Sequence, residues 1–310
     1  MVWRGFPRTA QEFDAAFGNE AACRRLLVEL RWGGTPVCIR CGSDRTWELG
    51  SGRFECCSCG CQMSVTSGTP LHGTRKPLRL WFRAIWEMCA RKNGISAKDL
   101  QRILGFGSYE TAWVWMQKLR RCMVRHDRLP LEGDVVVDDA YFGAPSDRPG
   151  RPAEQKAPIF VAAEENGRIR LEHAPDLSVG SVRSFVERNT AEGSHITTDG
   201  YGTYSGSSIR RREHRKIIVK RLPRGAGNPI QRAHHAISLA RRNWLGTYHG
   251  AVSRKHLQAY LDEFEFRYNR RRTEGVGRIV ARVLEVLVRS HPITYTTITR
   301  STPHPRFETT

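Results

Sequence analysis

The chain has 310 residues, enough for two or three folded units with cores of their own, and its 50 Lys and Arg outweigh 31 Asp and Glu to give a formal net charge of +19. A surplus of that size is the electrostatic footprint of a protein that neutralises phosphates, which makes nucleic acid the leading partner. No apolar run approaches the length that spans a bilayer, and the first residues lack the apolar core of a signal peptide, so a soluble, cytoplasmic protein without a membrane partner is expected.

After an N-terminal helical segment (1–32), cysteines dominate. Six of the nine fall between positions 38 and 61, which suggests metal rather than disulfides. "CIRC" (Cys38, Cys41) and "CCSC" (Cys56, Cys59) give C-x2-C-x14-C-x2-C, the two-knuckle spacing with which four thiolates close a tetrahedron around structural Zn²⁺. Pairings through Cys57 or Cys61 are sterically open as well. A zinc ribbon is therefore expected over 33–70, drawing from the metal the folding energy that so small a module cannot get from a core.

The pattern is helical from Pro77 to Val124. "LRLWFRAIWEMCA" repeats apolar residues at three and four spacings, which predicts a core-facing helix. In "GISAKDLQRILGFGSYETAWVWMQKLRRCM", Ser96 can cap a short helix, Gly105 and Gly107 break it, and Ser108 can cap a longer one. That is a helix-turn-helix layout within a region 71–130, and its basic tail (Lys118, Arg120, Arg121 and Arg125) is placed to meet DNA phosphates.

Past Gly133 the period changes from helical to strand-like. Strands are predicted at 134–141, 159–164 and 168–173 with a hairpin turn at "ENG" (165–167), then a helix from Ser178 to Asn189, a strand at 195–198 and a fifth strand at "KIIVK" (216–220). Helices are predicted at 231–244 and 253–268, and a last one from Arg278 to Arg289 within a C-terminal segment 274–310. This order is that of an RNase-H-like α/β domain over 131–273: a mixed sheet with flanking helices, preceded by the ribbon and the helical region.

In such a sheet the ends of the first and fourth strands lie side by side, and they carry Asp138 of "VVVDDAYFG" and Asp199 of "ITTDGYGTY". Like charges brought that close resist joint ionisation unless a cation sits between them, which points to Mg²⁺ or Mn²⁺. Asp139, one residue on, should face the other side of the sheet. The helix "QRAHHAISLARRNW" supplies no carboxylate, but His234 and Arg241 share one of its faces, with His235 adjacent. Tyr268 is read as packing a helix rather than as a nucleophile, and the basic runs at 210–216 and 268–272 suit a DNA backbone in sum.

These stretches, with "NWLGTYHGAVSRKHLQAYLDEFEFRYNRR" and "CCSCGCQMSVTSGTPLHGTRKPLRLWF", resemble in kind and order the transposases of insertion sequences that carry a zinc ribbon ahead of an RNase-H-like DDE domain, over about residues 10–270. The resemblance implies metal-dependent cleavage and transfer of double-stranded DNA at transposon ends by at least a dimer, in a prokaryotic, nucleoid-associated protein. It implies Asp138 and Asp199 as the two aspartates, a third position at His234 that is glutamate in some relatives and asparagine or histidine in others, and Arg241 where relatives often have lysine; Arg241 and Arg242 are the expected phosphate contacts. Imidazole is a softer donor than carboxylate and favours Mn²⁺. The missing glutamate also admits a second reading, a zinc-ribbon DNA binder with a decayed catalytic domain.

Overall fold

A computed structural model describes residues 6–124, 127–143, 156–165, 167–218, 221–223, 227–250 and 252–300. The chain divides into two compact units, 1–125 with 272–310, and 126–271.

The first unit opens with helices α1 (Ala10–Phe17) and α2 (Glu20–Trp32), capped by the side chains of Thr9 and Asn19. A small antiparallel sheet follows, with strands β1 (Thr46–Glu48), β2 (Phe54–Cys56) and β3 (Gln62–Met63) in sequential order. Helix α3 (Leu78–Ala90) buries the apolar face that its sequence predicts, with Trp81, Phe82, Ile85 and Met88 nearly or wholly sealed from solvent. Pro77 offers α3 no side-chain cap; instead the Glu20 carboxylate accepts from the amides of Leu78 and Arg79. Helices α4 (Ala97–Leu104) and α5 (Tyr109–Arg121) are capped by Ser96 and Ser108, and Gly105 ends α4 at φ +65°, as the Gly-containing turn requires. The indole rings of Trp81 and Trp115 stack at 3.4 Å and join α3 to α5. Two further helices of this unit come from the far end of the sequence. In chain order they are the last, α9 (Val276–Arg289) and α10 (Tyr295–Thr299), and α9 packs on α2 and α3. Gly277 allows that helix to touch the Pro7 carbonyl, where a Cβ would lie 2.0 Å away.

The second unit contains strands β4 (Asp134–Phe142), β5 (Ala157–Glu164), β6 (Ile169–His173), β7 (His195–Thr198) and β8 (Glu213–Lys216), with helices α6 (Val179–Asn189), α7 (Gln231–Tyr248) and α8 (Arg254–Asn269). The sheet order is β6-β5-β4-β7-β8; β4 runs antiparallel to β5 and parallel to β7. This is the mixed sheet expected of an RNase-H-like domain. Side chains alternate across it. Val135 and Val137 join Phe185 and Val186 of α6 in one cluster, whereas Val136, Ala140 and Phe142 join Ala233 and Ile237 of α7 and Leu257 of α8 in the other.

An exposed sheet edge invites pairing with other chains. The outer edge of β6 is closed by polar side chains one helical face apart on α8. Asn269 bonds both the amide and the carbonyl of Ile169, Glu265 accepts from Leu171, and Gln258 bonds the Leu171 carbonyl and the His173 amide.

Two strand expectations are corrected. The strand beginning at 134 runs through Phe142, so Asp138 is not at its end; β5 pairs along its whole length while the ladder to β7 stops at Val136. The fifth strand is Glu213–Lys216, earlier than the apolar run "KIIVK". Its position is set by its four-residue partner β7, and the run's Ile218 is left exposed. Residues 219 and 220, residues 144–155 between the first two predicted strands, Asn166 of the hairpin turn and Arg125 lie outside the described residues.

Candidate metal centres

In the first unit, Cys38, Cys41, Cys56 and Cys59 bring their sulfurs within 4.8 Å of one another. The two knuckles are built alike. Gly42 and Gly60 follow the second cysteine of each, with φ +74° and +66°, and their amides return to the Cys38 and Cys56 carbonyls. Backbone amides at Cys41 and Arg40 hold the Cys38 thiol down to about 6. All four cysteines are free thiols, and a set of four sulfurs at this spacing is the donor set of structural zinc. Cys57 and Cys61 stand outside it, which settles the register left open by the spacing.

In the second unit, the register of the parallel ladder does what no local pattern can. Asp134, Val135 and Val136 pair with His195, Ile196 and Thr197, β7 ends at Thr198, and Asp199 follows it near enough for its charge to act on Asp138. Asp138 faces α7, only 7% exposed, and its Oδ2 lies 3.3 Å from His234 Nε2. The Asn228 amide stands 3.3 Å from His234 Nδ1, while its oxygen accepts from the Ile230 amide. That contact fixes the amide with its NH₂ towards the ring, so Nδ1 accepts and Nε2 carries the proton that faces Asp138.

Burial pushes the Asp138 carboxyl up to about 6, helped by the charges of Asp139 and Asp199 and opposed by the Asp139 amide and by His234. Asp139 is raised as well, by burial and by Asp199, although Tyr204 donates to it. It faces away from Asp138, as expected, with its Oδ1 2.8 Å from the Tyr204 hydroxyl in the α6 cluster. Asp138, nearly sealed from water, feels the charge of Asp199, a repulsion that a divalent cation would relieve. The arrangement is more open than the cysteine site, because the ligand atoms of Asp138, Asp199 and His234 do not all fall within 4.8 Å. His235 is exposed on the next position of the helix.

The expected phosphate contacts divide. Arg241 and Arg242 are exposed on α7, and Arg241 reaches back to the Tyr141 carbonyl, 3.5 Å away, beside the Phe142 ring. The basic tail of α5 is corrected in part. Arg120 is 1% exposed and lies in the core, and Lys118 donates to the Pro70 carbonyl at 2.9 Å, with burial lowering its pKa. Three basic residues in four positions of a helix cannot share one face, so one of them turns inward. Arg121, partly buried, donates to the Thr297 carbonyl. Tyr268 packs beside Phe264 against the α7/α8 cluster, consistent with a structural role. Tyr204 and Asn228 were not singled out by sequence reasoning. Tyr204 ends the quoted "TDGYGTY", but nothing local says that it reaches β4.

Among curated proteins none matches the chain. Family models do: residues 130–269 match the ISXO2-like transposase domain, and residues 18–62 match the transposase zinc-ribbon domain. The two matches cover the acidic site and the cysteine site in the order that the sequence predicts: a transposase zinc-ribbon domain ahead of an ISXO2-like transposase domain.

Proposed function

We propose that this protein binds the terminal inverted repeats of an insertion sequence and carries out metal-dependent strand cleavage and transfer, with Asp138, Asp199 and His234 as the site and Mg²⁺ or Mn²⁺ as its cofactor. The observation that supports the reading is His234 3.3 Å from Asp138, with Asp199 close enough that its charge acts on the same carboxyl. When bound, divalent cations supply Lewis-acid charge stabilisation and an activated water or 3′-hydroxyl at a phosphodiester.

The chain's own groups prepare for this. The sheet buries Asp138, so its charge is undiluted by water and its affinity for a cation is high once the proton leaves. His234 faces the same carboxylate, and it would offer Nε2 to a cation in the tautomer that carries its proton on Nδ1. Arg241 and Arg242, on the same helix, meet backbone phosphates, Arg241 in the forked geometry that a guanidinium offers. The zinc ribbon and the α4–α5 helix pair bind the transposon ends, and two copies pair them.

The test is strand nicking on DNA that carries the element's inverted repeats, with and without Mn²⁺. The parent protein should nick in a metal-dependent manner, and Asp138→Ala should bind the same ends without cutting them. End binding without nicking by the parent itself would favour the decayed-binder reading.

A further inference from the structure

We infer that Tyr204 is a positioning residue that fixes the spacing of Asp138 and Asp199 through Asp139, an inference that rests on the proposed role of those two aspartates. The problem it solves is mechanical. Asp138 sits on a nine-residue strand held along its whole length, but Asp199 follows the end of a four-residue one. The turn after Asp199 contains Gly200 and Gly202, which leave the backbone there little preference of its own. A carboxylate on such a turn needs a second anchor if it is to keep its distance from a rigid one.

The contacts supply that anchor as a closed circuit. The Asp199 carboxylate accepts from the Tyr201 amide at 2.9 Å, and the Tyr204 amide returns to the Tyr201 carbonyl at 3.2 Å, which folds the turn on itself. The Tyr204 ring is fully buried in the α6-side cluster, and its hydroxyl donates to Asp139 Oδ1 at 2.8 Å. Asp139 in turn donates its amide to Asp138 Oδ1 at 2.9 Å. Hydrogen bonds thus connect the turn that carries Asp199 to the backbone beside Asp138, and the one that spans from the turn to β4 is made by the Tyr204 hydroxyl.

Asp139 makes sense in the same terms. The negative charge of Asp139 beside Asp138 works against that ligand's ionisation. It lies on the opposite face of the sheet, where its visible use is to receive the Tyr204 hydroxyl. Partners that orient ligands in this way typically contribute roughly 10- to 100-fold in metal affinity or activity.

The experiment uses the full chain, freed of divalent cations other than its zinc, and titrates Mn²⁺ by electron paramagnetic resonance alongside strand nicking and end binding. Tyr204→Phe should weaken Mn²⁺ binding about tenfold or more and lower kcat in parallel, with the affinity for DNA ends unchanged. Asp139→Asn keeps an oxygen for the tyrosine and should stay within about threefold of the parent in Mn²⁺ affinity, whereas Asp139→Ala should match Tyr204→Phe. The double variant Tyr204→Phe, Asp139→Ala should be no worse than either single one, as expected of two ends of one contact. Parent-like Mn²⁺ affinity in Tyr204→Phe overturns the inference, and so does an Asp139→Asn loss as large as that of Asp139→Ala. If Tyr204→Phe does not fold, the comparison of Asp139→Asn with Asp139→Ala decides by the same criterion. A parent protein that binds no Mn²⁺ is a different result, since it removes the proposed catalytic site and not only its brace.

Discussion

The cysteine site and the acidic site are assembled in opposite ways. The four thiols come from two copies of one local device, a C-x2-C turn closed by a left-handed glycine, so the knuckle geometry is set within five residues at each end. The acidic site takes Asp138 from β4, Asp199 from the turn after β7 and His234 from α7, and no local rule brings these together. A module that is short of core depends on its ion for folding, whereas a site mounted on a packed sheet exists before its ion arrives. Loss of metal should therefore have different consequences in the two places.

The largest effect should follow from stripping zinc or from Cys56→Ser. Structural zinc contributes on the order of 10 kcal/mol to modules of this kind, so residues 33–70 should unfold and become the first site of proteolysis. Limited proteolysis with mass spectrometry would show it, and a ribbon that resists cleavage without metal would remove the contrast. The acidic site should behave otherwise. Asp138→Ala should abolish nicking by at least about a thousandfold, the several kcal/mol that metal charge stabilisation supplies, with end binding retained.

Protein that keeps its zinc but holds no Mg²⁺ or Mn²⁺ allows a sharper test on the same residue. A buried carboxyl held at about 6 disfavours its own ionisation, so the fold bears a penalty that is fully present above that pH and absent below the unfolded value of about 4. Asp138→Asn should then raise Tm at pH 7.5 in zinc-loaded protein free of other divalent cations, by the equivalent of at most about 3 kcal/mol, and the gain should shrink to nothing as pH falls from about 6 to 4. Differential scanning calorimetry across that range checks both the size and the sign.

Smaller effects are expected further out. His234→Ala should lower nicking roughly 10- to 100-fold, and His234→Glu should shift the preferred cation from Mn²⁺ towards Mg²⁺, read as the ratio of rates in the two ions. Arg242→Gln should reduce the salt dependence of DNA binding by a slope of about 1, the signature of one phosphate contact, while Arg120→Gln should alter stability and leave that slope alone.

The same contrast explains what could be read from the sequence. The ribbon's ligands, the Ser96 and Ser108 caps and the apolar face of α3 depend on residues a few positions apart, and each appears where its local chemistry puts it. The order of strands and helices was readable for the same reason, and it leads to the sheet order because adjacent elements pack. What was not readable depends on partners distant in sequence. β8 takes its place from β7 and not from its own apolar run, Arg120 is internal because α5 has a buried side, and Tyr204 finds Asp139 only across the sheet. Asp138 was recognisable as unusual, a carboxylate after three buried valines, but its central place in the strand shows only when both neighbours are known.

The central claim is that Asp138 and Asp199 share a divalent cation. Anomalous diffraction from crystals grown with Mn²⁺ tests it most directly. The account predicts a Mn²⁺ peak with one oxygen of each aspartate at about 2.2 Å and the His234 ring at its edge. A peak ligated by only one of the two aspartates, or no peak at that end of β4, would contradict it.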